Sequence, residues 1–248
     1  YDHCKNLFTL NEIKELLLLN LRNQKDNIYF INEFPELIDH DYINRIKKKE
    51  DNFNEFVKTG LSSNEFLNII RIDDCDSFQE IYVQRKMKVD QKINNNEFER
   101  IPLLNHSPNL IQYAAFFGSI QIFKYLYLEK ANLSSVDDTK RNCLTYAIAG
   151  GNAEIIHIIE QNIWKEKVKI TTDMIRNAIE FCQNEILQWL LSKLIPNNSV
   201  IKRDLILQSI ISKNINAFLQ LIEFLYSCES ICIHYSAIFD NLEFVKLL

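Results

Sequence analysis

The side chains of this sequence that could do chemistry are few, and their spacing does not form a known reactive site. Cys228, Cys232 and His234 are the only local cluster of metal-ligating types. A structural zinc site needs four ligands in a tetrahedral array, and the nearest fourth candidate is not local. We therefore interpret the cysteines as small, reduced core residues, and we expect no metal and no other cofactor.

An acidic cluster at Asp73, Asp74 and Asp76 is the second candidate site. A calcium loop would need further oxygen ligands at loop spacing, including a late bidentate Glu, and these are missing. Acidic residues suit the positive end of a helix dipole, so we interpret the cluster as the start of a helix. A glycine-rich phosphate loop and the Gly-x-Ser-x-Gly and His-Glu-x-x-His motifs are also missing from the sequence. We predict that the protein is not an enzyme and has no small-molecule substrate.

Charge and composition narrow the classes of partner. The formal net charge is −5 and the pI is about 5.6, which argues against a sequence-independent nucleic-acid surface. The basic run at residues 45–49 is followed at once by Glu50 and Asp51, so we interpret it as a solvated helix face. No apolar run is long enough to cross a bilayer. We expect a protein partner, no nucleic acid, no membrane insertion and a cytoplasmic location, with cytoskeletal association left open.

The elements that must position any functional side chain are organised by a repeat. Residues 109–126 and 142–159 have the same pattern of residue types with a fixed offset, which is the signature of a repeat array. The matched residues stand 33 positions apart: Tyr113 and Tyr146, Ala114 and Ala147, Gly118 and Gly151, Ile122 and Ile155.

Each repeat predicts a pair of helices. An Asn stands at the N-cap, a small Ala lies at the centre of a short first helix, and Gly118 or Gly151 supplies the positive φ that ends it. An amphipathic second helix follows. Two antiparallel helices with one apolar side cannot bury that side alone, so the pairs must stack on one another.

These units resemble ankyrin repeats, whose pattern is Thr-Pro-Leu-His-x-Ala-Ala-x-x-Gly-His followed by an apolar helix. Residues 109–112 and 142–145 replace the Thr-Pro-Leu-His tetrapeptide. More closely, the sequences of three segments resemble divergent ankyrin-like proteins that are numerous in trichomonad protists. The segments are IIRIDDCDSF, LIQYAAFFGSIQIFKYL and YAIAGGNAEIIHIIEQN. The resemblance covers residues 61 to the C-terminus and implies an all-α, ankyrin-like helical repeat solenoid. It implies no particular activity, because a fold does not determine a function.

The repeat pattern also predicts the domain organisation. We predict a helical N-terminal segment or cap at residues 1–60 and about six ankyrin-like repeats at residues 61–248, the last one truncated, with a long insertion at about 83–106. The turn position holds Asp73, Cys182, Lys213 and Asp240 where the central repeats have Gly. Polar residues at repeat spacing predict the helix N-caps: Asn64, Asn109, Asn142, Asp173 and Asp204.

The resemblance further implies that the two residues before each turn residue project into the concave groove of the array. With small Gly150 and Ser212 between them, the predicted partner-binding residues are Arg71, Ile72, Phe116, Phe117, Glu180, Phe181, Ile211, Ile238 and Phe239. Rigid aromatic side chains suit an interface hot spot, because they lose little entropy on binding. The alternative is that Phe117 and Phe181 are covered by neighbouring units or by the long insertion and serve packing alone.

We therefore predict a non-catalytic protein–protein interaction scaffold that binds a protein through the concave face of the solenoid. Two alternatives stay open. The array could be a structural component of a larger cytoskeletal or filament assembly, or a regulatory segment of a longer multidomain protein. Contiguous apolar exposure on the concave face would favour recognition, whereas contacts spread over both faces would favour the structural role.

Overall fold

The computed structural model describes residue 44 and residues 64–94, 99, 101–163, 170–193, 199–221, 229–239 and 241–247. These residues contain one short 3-10 helix, Pro102–His106, one isolated antiparallel bridge between Lys92 and Asn109, and twelve α-helices. The α-helices are α1 Glu65–Arg71, α2 Cys75–Gln84, α3 Leu110–Phe117, α4 Ile120–Leu128, α5 Cys143–Gly150, α6 Ala153–Ile163, α7 Thr172–Glu180, α8 Asn184–Lys193, α9 Ser199–Ile211, α10 Ile215–Leu221, α11 Glu229–Ile238 and α12 Leu242–Leu247. The predicted all-α class is confirmed for the described residues, whose helices recur in pairs.

The chain divides into two compact units, residues 1–68 with 95–105 and residues 69–94 with 106–248. In the first unit, the Asn64 carboxamide oxygen accepts a hydrogen bond from the Phe66 amide at 3.0 Å, at the start of α1. The Asn105 side chain donates to the Glu99 carbonyl at 2.9 Å. Apart from Asn44, which is helical, the predicted N-terminal segment at residues 1–60 lies outside the described residues, so the domain limits stay a prediction.

In the second unit, helices follow one another in pairs joined by very short turns. Each turn from α1–α2 to α9–α10 contains one residue in the left-handed region: Asp73 (φ 55°), Gly118 (70°), Gly151 (79°), Cys182 (57°) and Lys213 (55°). A left-handed residue ends a helix and reverses the chain. The predicted turn positions of Asp73, Cys182 and Lys213 are confirmed, whereas Asp240 lies outside the described residues.

Side-chain caps start the central helices. The Asn109 carboxamide oxygen accepts from the Gln112 amide at 3.0 Å, and the Gln112 side chain accepts from the Asn109 amide at 2.8 Å, which is a reciprocal capping box. At α5, the Asn142 side chain accepts from the Thr145 amide at 3.2 Å. Both caps satisfy amides of the first helical turn that have no partner within the helix.

Two of the predicted caps are wrong. The N-cap of α7 is Thr171, so Asp173 lies in the first turn, where its carboxylate accepts from the Arg141 Nε at 3.0 Å. Asp204 lies inside α9, which begins at Ser199. At α7, an acidic residue is favoured throughout the first turn, so Asp173 fits that turn as well as the cap. At α9, residues 199–203 contain no Gly or Pro that would disfavour a helix, so the helix begins before Asp204.

The first helices of the central pairs are buried on every side. All residues from 110 to 116 and from 143 to 149 are buried. The Tyr146 hydroxyl donates to the Asp137 carboxylate at 2.7 Å, and burial, followed by this hydrogen bond, raises the pKa of Tyr146 above its usual range. The Gln112 side chain donates to the carbonyls of Ser135 and Arg141. These buried bonds fix the connection from α4 to α5 against both helices.

Successive pairs are joined by a hydrogen bond from the residue directly after each turn residue, through its side chain, to a backbone carbonyl of the preceding pair. We call this set the inter-pair ladder. Its bonds are Ser119 to Ile70, Asn152 to Gly118, Gln183 to Ala149, Asn214 to Ile179 and Asn241 to Ile210. The carbonyls lie at or directly after the ends of first helices, and those of Ile70, Ile179 and Ile210 also accept the amide of their own turn residue. The ladder therefore both satisfies these helix ends and sets the register of the stack.

The cap of α5 gives a first test. We expect Asn142→Ala to lower the free energy of unfolding by about 1 kcal/mol, because the first-turn amides lose their acceptor. Asp204→Ala is the matched control, because Asp204 belongs to the same predicted set of caps but caps no helix. Its effect on the free energy of unfolding should stay within about 0.5 kcal/mol. Urea unfolding of the two variants checks this, and equal losses would contradict the assignment of the caps.

The inter-pair ladder gives a second test. Asn214 is buried, donates to the Ile179 carbonyl at 3.0 Å and caps α10 by accepting from the Ala217 amide at 2.9 Å. We expect Asn214→Ala to cost about 1–2 kcal/mol, because the cap of α10 is lost and the Ile179 carbonyl keeps only the hydrogen bond from the Cys182 amide at 3.2 Å. Asn216→Ala, at an exposed position of the same helix, should be near neutral in the same unfolding experiment. A neutral Asn214→Ala would show that the ladder does not stabilise the stack.

Candidate functional site

The predicted binding residues occupy the last two positions before each turn residue, at the ends of the first helices. Six of the nine residues lie at the end of a first helix. The other three, Ile72, Phe181 and Phe239, directly follow a first helix. Because the inter-pair ladder holds the same helix ends, the backbone that carries this row of residues is fixed by the fold.

Four predicted residues meet in one cluster. The Phe116 ring lies edge-on to Phe117, with centroids 5.1 Å apart, and edge-on to Phe181, with centroids 5.4 Å apart. The guanidinium carbon of Arg71 stands 5.5 Å from the centroid of the Phe117 ring and 5.8 Å from that of Tyr113. The Arg71 Nε also donates to the Tyr113 hydroxyl at 2.9 Å. A cation above aromatic faces is attracted by the ring quadrupole, so the cluster is held by charge as well as by packing.

Phe116 does not offer a contact surface. Its side chain is only 8% exposed, whereas Phe117 and Phe181 are half-buried. We therefore remove Phe116 from the candidate surface, because its ring supports the two others from beneath. Phe117 and Phe181 keep partly exposed faces, and the alternative that these two residues serve packing alone stays open.

Gly150 explains how Phe181 reaches Phe116 across the intervening helix pair. A Cβ built on Gly150 would overlap the Phe116 carbonyl oxygen, so α3 and α5 approach each other here at backbone distance. With no side chain at this position, the ring of Phe181 on the next pair contacts that of Phe116. The small residue predicted between the protruding rings is thus required by a close approach of two backbones.

The charged groups beside the cluster are mixed in sign. Glu180 lies at the end of α7, and the residue as a whole is exposed. Partial burial of its carboxyl group raises the pKa of Glu180 above the ordinary value; the charge of Arg141 opposes this shift and that of Asp173 adds to it. Arg141 and Asp173 form an ion pair at 3.0 Å. A surface that holds apolar rings between charges of both signs suits a protein partner more than a polyanion.

Four other predicted residues lie on the first and the last two helix pairs of the described residues and are more exposed. The exposed fractions are 64% for Ile72, 41% for Ile211, 60% for Ile238 and 36% for Phe239. The Phe239 ring stacks on Tyr235 with a centroid distance of 6.1 Å. Large apolar side chains therefore stay in contact with solvent at one or both of the two positions before the turn residue in three of the pairs.

Sequence reasoning missed a groove along α9 and α11. It has a volume of about 860 Å³, and its lining includes Arg203, Leu207, Ile231, His234 and Tyr235. Leu207 and His234 hold the same repeat position, at which the central pairs have the buried Gln112 and Thr145. The signal in the sequence was an apolar or aromatic residue at a repeat position where the central pairs have a buried polar residue.

The described residues contain no group of three or more His, Cys, Asp and Glu side chains that could hold a metal ion. Cys232 is buried, His234 is exposed and Cys228 lies outside the described residues. Burial raises the pKa of the Cys143 thiol far above its usual value. Among the helices of the described residues, none is both long and apolar enough to traverse a lipid bilayer.

Comparisons with known proteins give two findings. A family model described as a domain of unknown function (DUF3447) matches residues 134–221. Among solved structures, the human ASB11 ankyrin repeat domain is similar, with 12% identity and a TM-score of 0.44 over 64% of this chain and 68% of that chain. No curated protein matches the sequence. The narrower resemblance to trichomonad proteins stays a prediction.

The close approach at Gly150 gives a third test. Replacing a helical Gly by Ala normally stabilises a protein by about 1 kcal/mol. Here we expect Gly150→Ala to destabilise by more than about 2 kcal/mol, because the new methyl group would overlap the backbone of α3. Ser212→Ala, at the equivalent position of a later pair, is the control and should change stability by less than about 1 kcal/mol. Thermal and urea unfolding measure both, and a stabilised Gly150→Ala would contradict the close approach.

Proposed function

We propose that this chain is a non-catalytic protein-recognition module, which binds a protein partner through the row of side chains at the ends of its first helices. The observation that carries the proposal is the recurrence of exposed apolar side chains at the two positions before the turn residue, in Ile72, Ile211, Ile238 and Phe239. Single exposed apolar residues are ordinary, but their recurrence on one edge of a stacked array is typical of an interaction surface.

The central cluster supports the same proposal. Interface hot spots are enriched in aromatic residues and Arg, and they need neighbours that keep each side chain in place before the partner arrives. Phe117 has such neighbours in Arg71, Tyr113 and Phe116, all within ring-contact distance. Phe181 has Phe116. Because these rings are already ordered, little side-chain entropy remains to be lost on binding.

Site-specific photo-crosslinking tests the proposed surface. A photoreactive amino acid is placed at Ile211, in the row, or at Leu219, on the outer helix α10, because their exposed fractions of 41% and 46% are similar. Each protein is then irradiated in an extract of its native cell. We expect a discrete crosslinked protein from position 211 and none from position 219.

Affinity measurements with the protein so identified complete the test. We expect Ile211→Glu and Ile238→Glu to weaken its binding by more than about tenfold, which is about 1.4 kcal/mol. Leu219→Glu should leave the affinity unchanged, and all three melting temperatures should stay within a few degrees, because these side chains are exposed. Equal crosslinking at both positions, or binding that survives both row variants, would refute the concave-row proposal.

A further inference from the structure

We draw no further inference here: the strongest candidate, the surface patch formed by the exposed side chains of Val83 and Leu128 at the ends of the neighbouring helices α2 and α4, is bordered by exposed charges of both signs, and nothing in the structure shows what covers it.

Discussion

The structure depends on the side-chain hydrogen bonds that join the end of each first helix to the next pair. Carbonyls at a helix end have no donor within the helix, and at three of the five junctions the carbonyl also accepts a turn amide, so the ladder bond uses its second lone pair. The inter-pair ladder supplies one side-chain donor per junction, and Asn152 and Asn214 also cap the second helix that follows them. Each of these two residues therefore caps the second helix of its own pair and also bonds to the pair before it. The stacking of the pairs is thus specific as well as favourable.

This ladder helps to explain why the turns tolerate residues other than glycine. Asp73, Cys182 and Lys213 adopt left-handed backbone conformations that cost a non-Gly residue about 1 kcal/mol or more. At Asp73 the side chain compensates directly, because its carboxylate accepts from the Gln121 and Ile122 amides at 3.0 Å each. At Cys182 and Lys213, the compensation comes from the next residue, which supplies the ladder bond.

The sequence was sufficient for the fold class and for the turn positions, since both follow from local rules: a fixed period, small residues at helix centres, and left-handed positions between helices. The sequence was insufficient where the start of a helix or the burial of a side chain depends on other parts of the structure. Asp173 was misassigned because an acidic residue fits a first turn as well as a cap, and Asp204 was misassigned because α9 begins earlier, at Ser199. Phe116 was misjudged because its burial depends on Gly150 and Phe181, which stand 34 and 65 residues later. Position within a repeat predicts which way a residue faces, but exposure depends on the sizes of the residues in the adjacent pairs.

The contact between Phe116 and Phe181 also bears on how the array unfolds. In an ordinary repeat array each unit contacts only its neighbours, so stability is a chain of nearest-neighbour terms and the ends can fray one unit at a time. Here a ring on the pair α3–α4 contacts the residue that joins α7 to α8, above the pair that separates them. This adds a coupling between second neighbours, and α3 to α8 should therefore open as one cooperative block.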